Sequence, residues 1–211
     1  MKLKAGISAV SLLALAFVFA AIPAFADRVI VYDNTGPGTY TTNAWSISTL
    51  GGGAGTVTDS FTLSKTSTID GANFYVWVEP DDSMTGVTWS LTNTAFGTPI
   101  ETGTVAGGTN IPVATAFGYY SVLEESISIP FVTLAPGTYW FQLSNGQDAF
   151  DNNIWWDESD GPSTAFDADF GQIPSETFQI TAVSPEPSSV LLLGSGMLAL
   201  AGLVTRRKIL A

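Results

Sequence analysis

The sequence predicts an all-β body, an antiparallel β-sandwich of jelly-roll or Greek-key kind, flanked by an N-terminal signal peptide and a C-terminal transmembrane helix. Three observations carry the body's fold class. Residues 27–184 alternate apolar and polar side chains with the period of two that a half-buried strand requires. Gly, Pro, Asn and Asp interrupt that pattern every eight to twelve residues, which is turn punctuation. No stretch of the region sustains helical spacing, and its runs are rich in Thr, Val, Ile and aromatics.

Residues 1–26 read as the signal peptide. Lys2 and Lys4 form a charged start, residues 7–19 an apolar stretch, and Ala24-Phe25-Ala26 a small-x-small cleavage triplet. Signal peptidase would cut after Ala26 and leave Asp27 as the new N-terminus; the alternative is a retained N-terminal anchor.

The strands follow. Short apolar runs surround Val29-Ile30-Val31, Phe61-Thr62-Leu63 and Ile127-Ser128-Ile129. Phe74, Val76 and Val78 share one face, with Tyr75, Trp77 and Glu79 on the other. Val87, Trp89 and Leu91 alternate with Thr88, Ser90 and Thr92. Tyr139, Phe141 and Leu143 alternate with Trp140, Gln142 and Ser144, and Phe178, Ile180 and Ala182 with Thr177, Gln179 and Thr181. Nine or ten short strands result. Asp70-Gly71, Pro80-Asp81-Asp82 and Ala135-Pro136-Gly137 are read as turns, and Pro130 as an edge or bulge position. Residues 51–55 form a Gly-rich loop that lacks the Gly-Lys-Ser/Thr ending of a phosphate cradle.

Residues 188–205 are an uncharged, Leu-rich run, about 27 Å long as a helix against a hydrocarbon core of ~30 Å. Arg206, Arg207 and Lys208 follow at once, a cytoplasmic stop that places residues 27–184 outside the membrane. Pro185-Glu186-Pro187 precedes the run and keeps it apart from the sheets.

The order of triplet, apolar helix and basic end over residues 185–211 resembles the PEP-CTERM sorting signal of bacterial exported proteins. The same tail is also known as the ice-binding protein C-terminal domain, a label for the tail and not for the body. The resemblance implies a membrane-embedded exosortase that recognises Pro185, Glu186 and Pro187, cuts nearby, and passes the body to the cell surface or an extracellular polysaccharide matrix. The precursor would sit in the inner membrane through its C-terminal helix. More loosely, Val87-Thr88-Trp89-Ser90-Leu91, residues 134–140 and Trp155-Trp156-Asp157-Glu158 resemble segments of β-sandwich bodies in that group.

Composition narrows the chemistry. The chain of 211 residues has no Cys and no His, which removes disulfides, thiolate nucleophiles, Ser-His-Asp triads and His- or Cys-ligated metals. Residues 27–184 carry eighteen acidic side chains against two basic ones, a net of −16, which excludes a phosphate-backbone ligand and hence nucleic acid.

Aromatic side chains are the first candidates for a site. Trp89 and Tyr139 run in phase with aliphatics and are read as core. Trp77 and Trp140 point the other way, and Trp155 and Trp156 must send one ring to each face of an extended strand. Outward rings could stack on the C–H face of a sugar, or cover a second layer of the fold. Acidic side chains crowd residues 144–161, read as a loop, where Asp148, Asp151, Asp157 and Asp160 could hold calcium or be a solvated surface. A carboxylate-pair glycoside hydrolase is the remote alternative. The leading expectation is a non-catalytic surface protein needing no cofactor, structural or adhesive among exopolysaccharides, with a carbohydrate-binding module as the alternative.

Overall fold

The structure, a computed structural model, describes residues 28–35, 43–50 and 52–184, together with Gly194. Ala24, Ala26 and Asp27 of the signal peptide, Pro185, Glu186 and Pro187, and Arg206, Arg207 and Lys208 lie outside the described residues, as does the expected helix 188–205 apart from Gly194. Among the described residues no helix is long and apolar enough to cross a membrane.

The body is all-β. In chain order its strands are β1 (Arg28–Asp33), β2 (Ala44–Ser46), β3 (Thr56–Leu63), β4 (Ser67–Val78), β5 (Met84–Thr92), β6 (Pro99–Ala106), β7 (Ile111–Ala116), β8 (Tyr120–Leu134), β9 (Gly137–Asp148), β10 (Trp155–Ser159), β11 (Ala165–Asp167), β12 (Gly171–Ile173), β13 (Ser175–Glu176) and β14 (Phe178–Val183). They form two antiparallel sheets. In the first, β4 is central, with β8 and then β7 on one side, and β14 and β10 sharing the other. β1 extends β14, while β2 and β13 extend β10. The second sheet runs β12-β11-β3-β9-β5-β6.

The sheets pack through the side chains that period-two reading turns inward. Phe141 of β9 has ring centroids 6.2 Å from Phe74 of β4, 5.6 Å from Trp156 of β10 and 5.7 Å from Phe178 of β14. Val87, Trp89 and Leu91, Leu143, and Ile180 and Ala182 join the same core. The arrangement is sandwich-like, two apolar faces closed on each other.

Two sequence expectations are corrected. Asp70-Gly71 is no turn but lies inside β4, where three residues of β8 around Pro130 stand opposite Asp70 alone. Glycine suits position 71 because a Cβ there would lie 2.6 Å from the Ile127 carbonyl and 3.3 Å from the Arg28 guanidinium carbon. Pro130 thus sits at a bulge, as its missing N–H requires. Residues 144–161 are not one loop either: β9 runs to Asp148 and β10 begins at Trp155, because strand pairing to β5, β4 and β2 outweighs the acidic composition.

Candidate functional site

The outer face of the first sheet gathers the aromatic side chains that the core does not take. Strand register lines up Ala114 of β7, Val122 of β8, Trp77 of β4, Trp155 of β10 and Ser46 of β2 across five strands. Trp77 stacks on Tyr120 at 5.9 Å, and Tyr120 meets the edge of Trp155 at 5.4 Å. Behind them Trp77 Nε1 donates to Asp157 Oδ1, whose other oxygen accepts from the Thr177 hydroxyl at 2.8 Å.

The β7–β8 hairpin completes this patch. Its two turn residues, Phe117 at φ 51° and Gly118 at φ 67°, are both left-handed, and Tyr119 N–H donates to the Ala116 carbonyl at 3.0 Å. That is the turn type preferred by Asn-Gly, and a bulky residue at its first position stores local strain. Phe117 sets its ring edge-on to Trp77 at 5.4 Å, yet remains 69% exposed, and Tyr119 beside it is 54% exposed. Glu79 beside the Tyr119 hydroxyl raises its pKa. Two open rings thus stand on a half-buried aromatic base with a carboxylate at the rim.

The four tryptophans singled out in the sequence divide. Trp77 and Trp155 meet in this patch, although Trp77 is only 4% exposed under Phe117 and Tyr120. Trp156 is fully buried between the sheets, and its indole N–H donates to the Thr177 carbonyl at 2.9 Å. Trp140 is half-buried on the outer face of the second sheet, 5.7 Å from Phe166. The four make no aligned row.

The acids expected to share calcium do not meet either. Asp151 and Asp160 are exposed, Asp157 is held under Trp77, and Asp148 pairs instead with Asp82 of the β4–β5 turn. Among the described residues no three acidic side chains gather into a metal-binding group. Burial and the Asp82 carboxyl together raise the pKa of Asp148. Phe150 and Asn152 N–H groups cap Asp148, and Asn152 also donates to Asp82 Oδ2 at 3.1 Å. Beside the pair a cavity of about 300 Å³ is lined by Thr49, Leu50, Asn145, Gln147 and Asp151 among others.

A second acidic pair lies where sequence reading saw only strand. Asp59 of β3 is in phase with Val57, Phe61 and Leu63 and faces inward, fully buried. Its Oδ2 accepts from the Glu176 N–H at 2.7 Å and the Ser163 hydroxyl at 2.8 Å. Burial raises its pKa from 3.8 to about 6, and burial with the nearby Asp59 charge raises that of Glu176. The signal that reveals them is a carboxylate in an apolar phase. One consequence is measurable in chelator. Between about pH 4 and 6 the folded protein keeps a proton on Asp59 that the unfolded chain has released, so stability falls as pH rises through that window, by about 3 kcal/mol. Denaturant titrations at pH 5 and pH 8 should give the larger unfolding free energy at pH 5; a larger value at pH 8 would refute the buried state of this carboxyl.

Residues 185–208 match the PEP-CTERM protein-sorting motif. The chain carries an exosortase sorting tail. Such a tail marks an exported, cell-surface protein processed by an exosortase. No curated protein matches this chain. Among solved structures, its fold is similar to a CocE/NonD family hydrolase from Staphylococcus aureus, at 9% identity and a TM-score of 0.35, over 75% of this chain and 37% of that one. It is also similar to the CBM27-1 module of Caldicellulosiruptor saccharolyticus, solved in complex with mannohexaose, at 15% identity and a TM-score of 0.24 over 56% of each chain. Neither likeness is close enough to assign an activity to this chain, which spans little over half of the second chain and less of the first.

Proposed function

We propose that this chain is a non-catalytic surface protein, delivered by its sorting tail and adhesive among extracellular polysaccharides. The sorting motif at residues 185–208 is the observation that carries delivery. For contact with polysaccharide, the support is the outer-face patch of Phe117, Tyr119, Tyr120 and Trp155 over Trp77, with Glu79 at its rim. Open aromatic faces attract the C–H faces of sugar rings, and a rim carboxylate accepts sugar hydroxyls. Delivery itself would proceed by cleavage after Ala26, retention by the helix 188–205, and exosortase action near Pro185.

The non-catalytic reading rests on where the acids sit. Glycoside hydrolysis needs carboxyl groups about 5–5.5 Å or about 6.5–9.5 Å apart across an open cleft. Asp82 and Asp148 are both bound by Asn152, through its side-chain amide and its backbone N–H, and so sit on one wall rather than across a cleft, and Asp59 with Glu176 is sealed between the sheets.

Phe117→Gly with Tyr119→Ala removes the two open rings and leaves a glycine suited to the left-handed turn. Retention on the cells' own extracellular polysaccharide in affinity electrophoresis should fall about tenfold or more, with Tm within about 2 °C of wild type. Undiminished retention would remove the patch from the adhesive role.

A further inference from the structure

We propose that the sandwich holds a structural calcium ion between its sheets, at an oxygen focus built from Asp59, Asn34, Ser163, Ser175 and Glu176. Four oxygens crowd Asn34 Nδ2: Ser175 Oγ at 2.6 Å, the Glu176 carbonyl at 2.6 Å, Ser163 Oγ at 2.7 Å and Asp59 Oδ2 at 3.4 Å. An amide nitrogen has two hydrogens, so it cannot serve four acceptors. The same place is tight. A Cβ on Gly161 would lie 2.3 Å from Asn34 Oδ1, so the chain passes as close to this amide as glycine allows.

Glu176, which meets the focus through its backbone N–H and carbonyl and whose carboxyl feels the Asp59 charge, supplies a second, independent sign of a missing partner. Its side chain is fully buried, and neither Oε1 nor Oε2 has a hydrogen-bond partner among the described residues. Protonation would remove the charge but still leave both oxygens without a hydrogen-bond partner. Further negative charge surrounds it. Glu158 stands beside it in the β10–β13 register, Asp157 follows on β10, Asp167 comes inward from β11 and Asp59 from β3. Tyr32 of β1 adds only a neutral hydroxyl, which donates to Asn34 Oδ1 at 3.3 Å. Among the described residues no side chain with a positive charge is bound to Glu176. Of the two described, Arg28 is bound to Asp70 at 2.9 Å and Lys65 is exposed.

Buried anionic oxygens without a donor are costly enough that proteins pair them or place a metal on them. The donor set here is oxygen alone, which selects a hard cation. Calcium takes six to eight oxygens from carboxylates, amides, hydroxyls and carbonyls in flexible geometry, whereas magnesium keeps several waters for which a sealed inter-sheet site has no room. Turned end for end, the Asn34 amide presents Oδ1 to the focus and joins the ligand set. Three carboxylates are not required, because neutral oxygens complete the shell. The ion would tie β1, β3 and β13 together across the two sheets.

The full chain, purified in detergent and stripped with chelator, is titrated with calcium chloride and followed by calorimetry and thermal unfolding. One calcium should bind, and at a hundredfold excess over Kd the Tm should rise by about 5–10 °C. Asp59→Asn and Glu176→Gln should lose that rise while Asp148→Asn keeps it. Ser163→Ala, at a half-buried loop position that does not endanger folding, should weaken the wild-type affinity at least threefold and decides the site if the charged variants do not fold. Absence of a calcium heat and Tm rise in wild type overturns the proposal. So does a rise that survives Asp59→Asn or Glu176→Gln, an affinity unchanged in Ser163→Ala, or a rise that disappears in Asp148→Asn.

Discussion

Phe141→Ala should destabilise the body by about 3–5 kcal/mol, lowering Tm by about 6–20 °C. Phe141 is fully buried on β9 and is the ring through which the second sheet touches three rings of the first, Phe74, Trp156 and Phe178. Truncation removes the transfer free energy of a benzyl group and leaves a cavity that neither sheet can close, because both backbones are held by strand pairing on either side of the site. With no disulfide available and a total stability of about 5–15 kcal/mol, the loss is a large share of the whole. Phe131, on β8 and 75% exposed, is the matched control: Phe131→Ala should stay within about 0.5 kcal/mol. Denaturant titration of the two variants side by side checks this. Equal effects would mean that the sheets do not close on Phe141.

The core was legible because alternation is a local property. Val87, Trp89 and Leu91, or Phe178, Ile180 and Ala182, each declare an inward face in six residues or fewer, and all six are buried. What lay beyond reach depends on who covers the other face. Trp77 points outward from β4, yet Phe117 and Tyr120 of a hairpin some forty residues later close over it. Of the adjacent Trp155 and Trp156, the sequence says that one is inward but not which; pairing of Trp156 with Val76 and Trp45 decides it. β2, β11, β12 and β13 are two or three residues long, too short for a period to show, and exist because longer strands offer them an edge. Asp59 and Glu176 were overlooked for the opposite reason. Each sits in an apolar phase where a reader expects aliphatics, and in an acidic chain one more carboxylate draws no notice.

The second large effect concerns delivery. Pro185→Ala with Glu186→Ala alters two residues of the triplet within the matched motif and touches none of the fourteen strands among the described residues. The body should fold and leave the cytoplasm as before, because the proposed cleavage after Ala26 would depend only on the N-terminal segment. What should fail is release. Without the triplet, the exosortase has no substrate, and the apolar run 188–205 with its three cations remains a stop in the bilayer. The surface pool should drop at least tenfold and the membrane pool rise to match.

Intact mass of the protein recovered from fractionated cells reads this directly. For wild type, a surface species is expected that begins at Asp27 and ends near Pro185; for the double variant, a membrane species that begins at Asp27 and keeps Arg206, Arg207 and Lys208. A wild-type surface species that still carries the basic end, or a double variant trimmed and released like wild type, would contradict exosortase sorting of this chain.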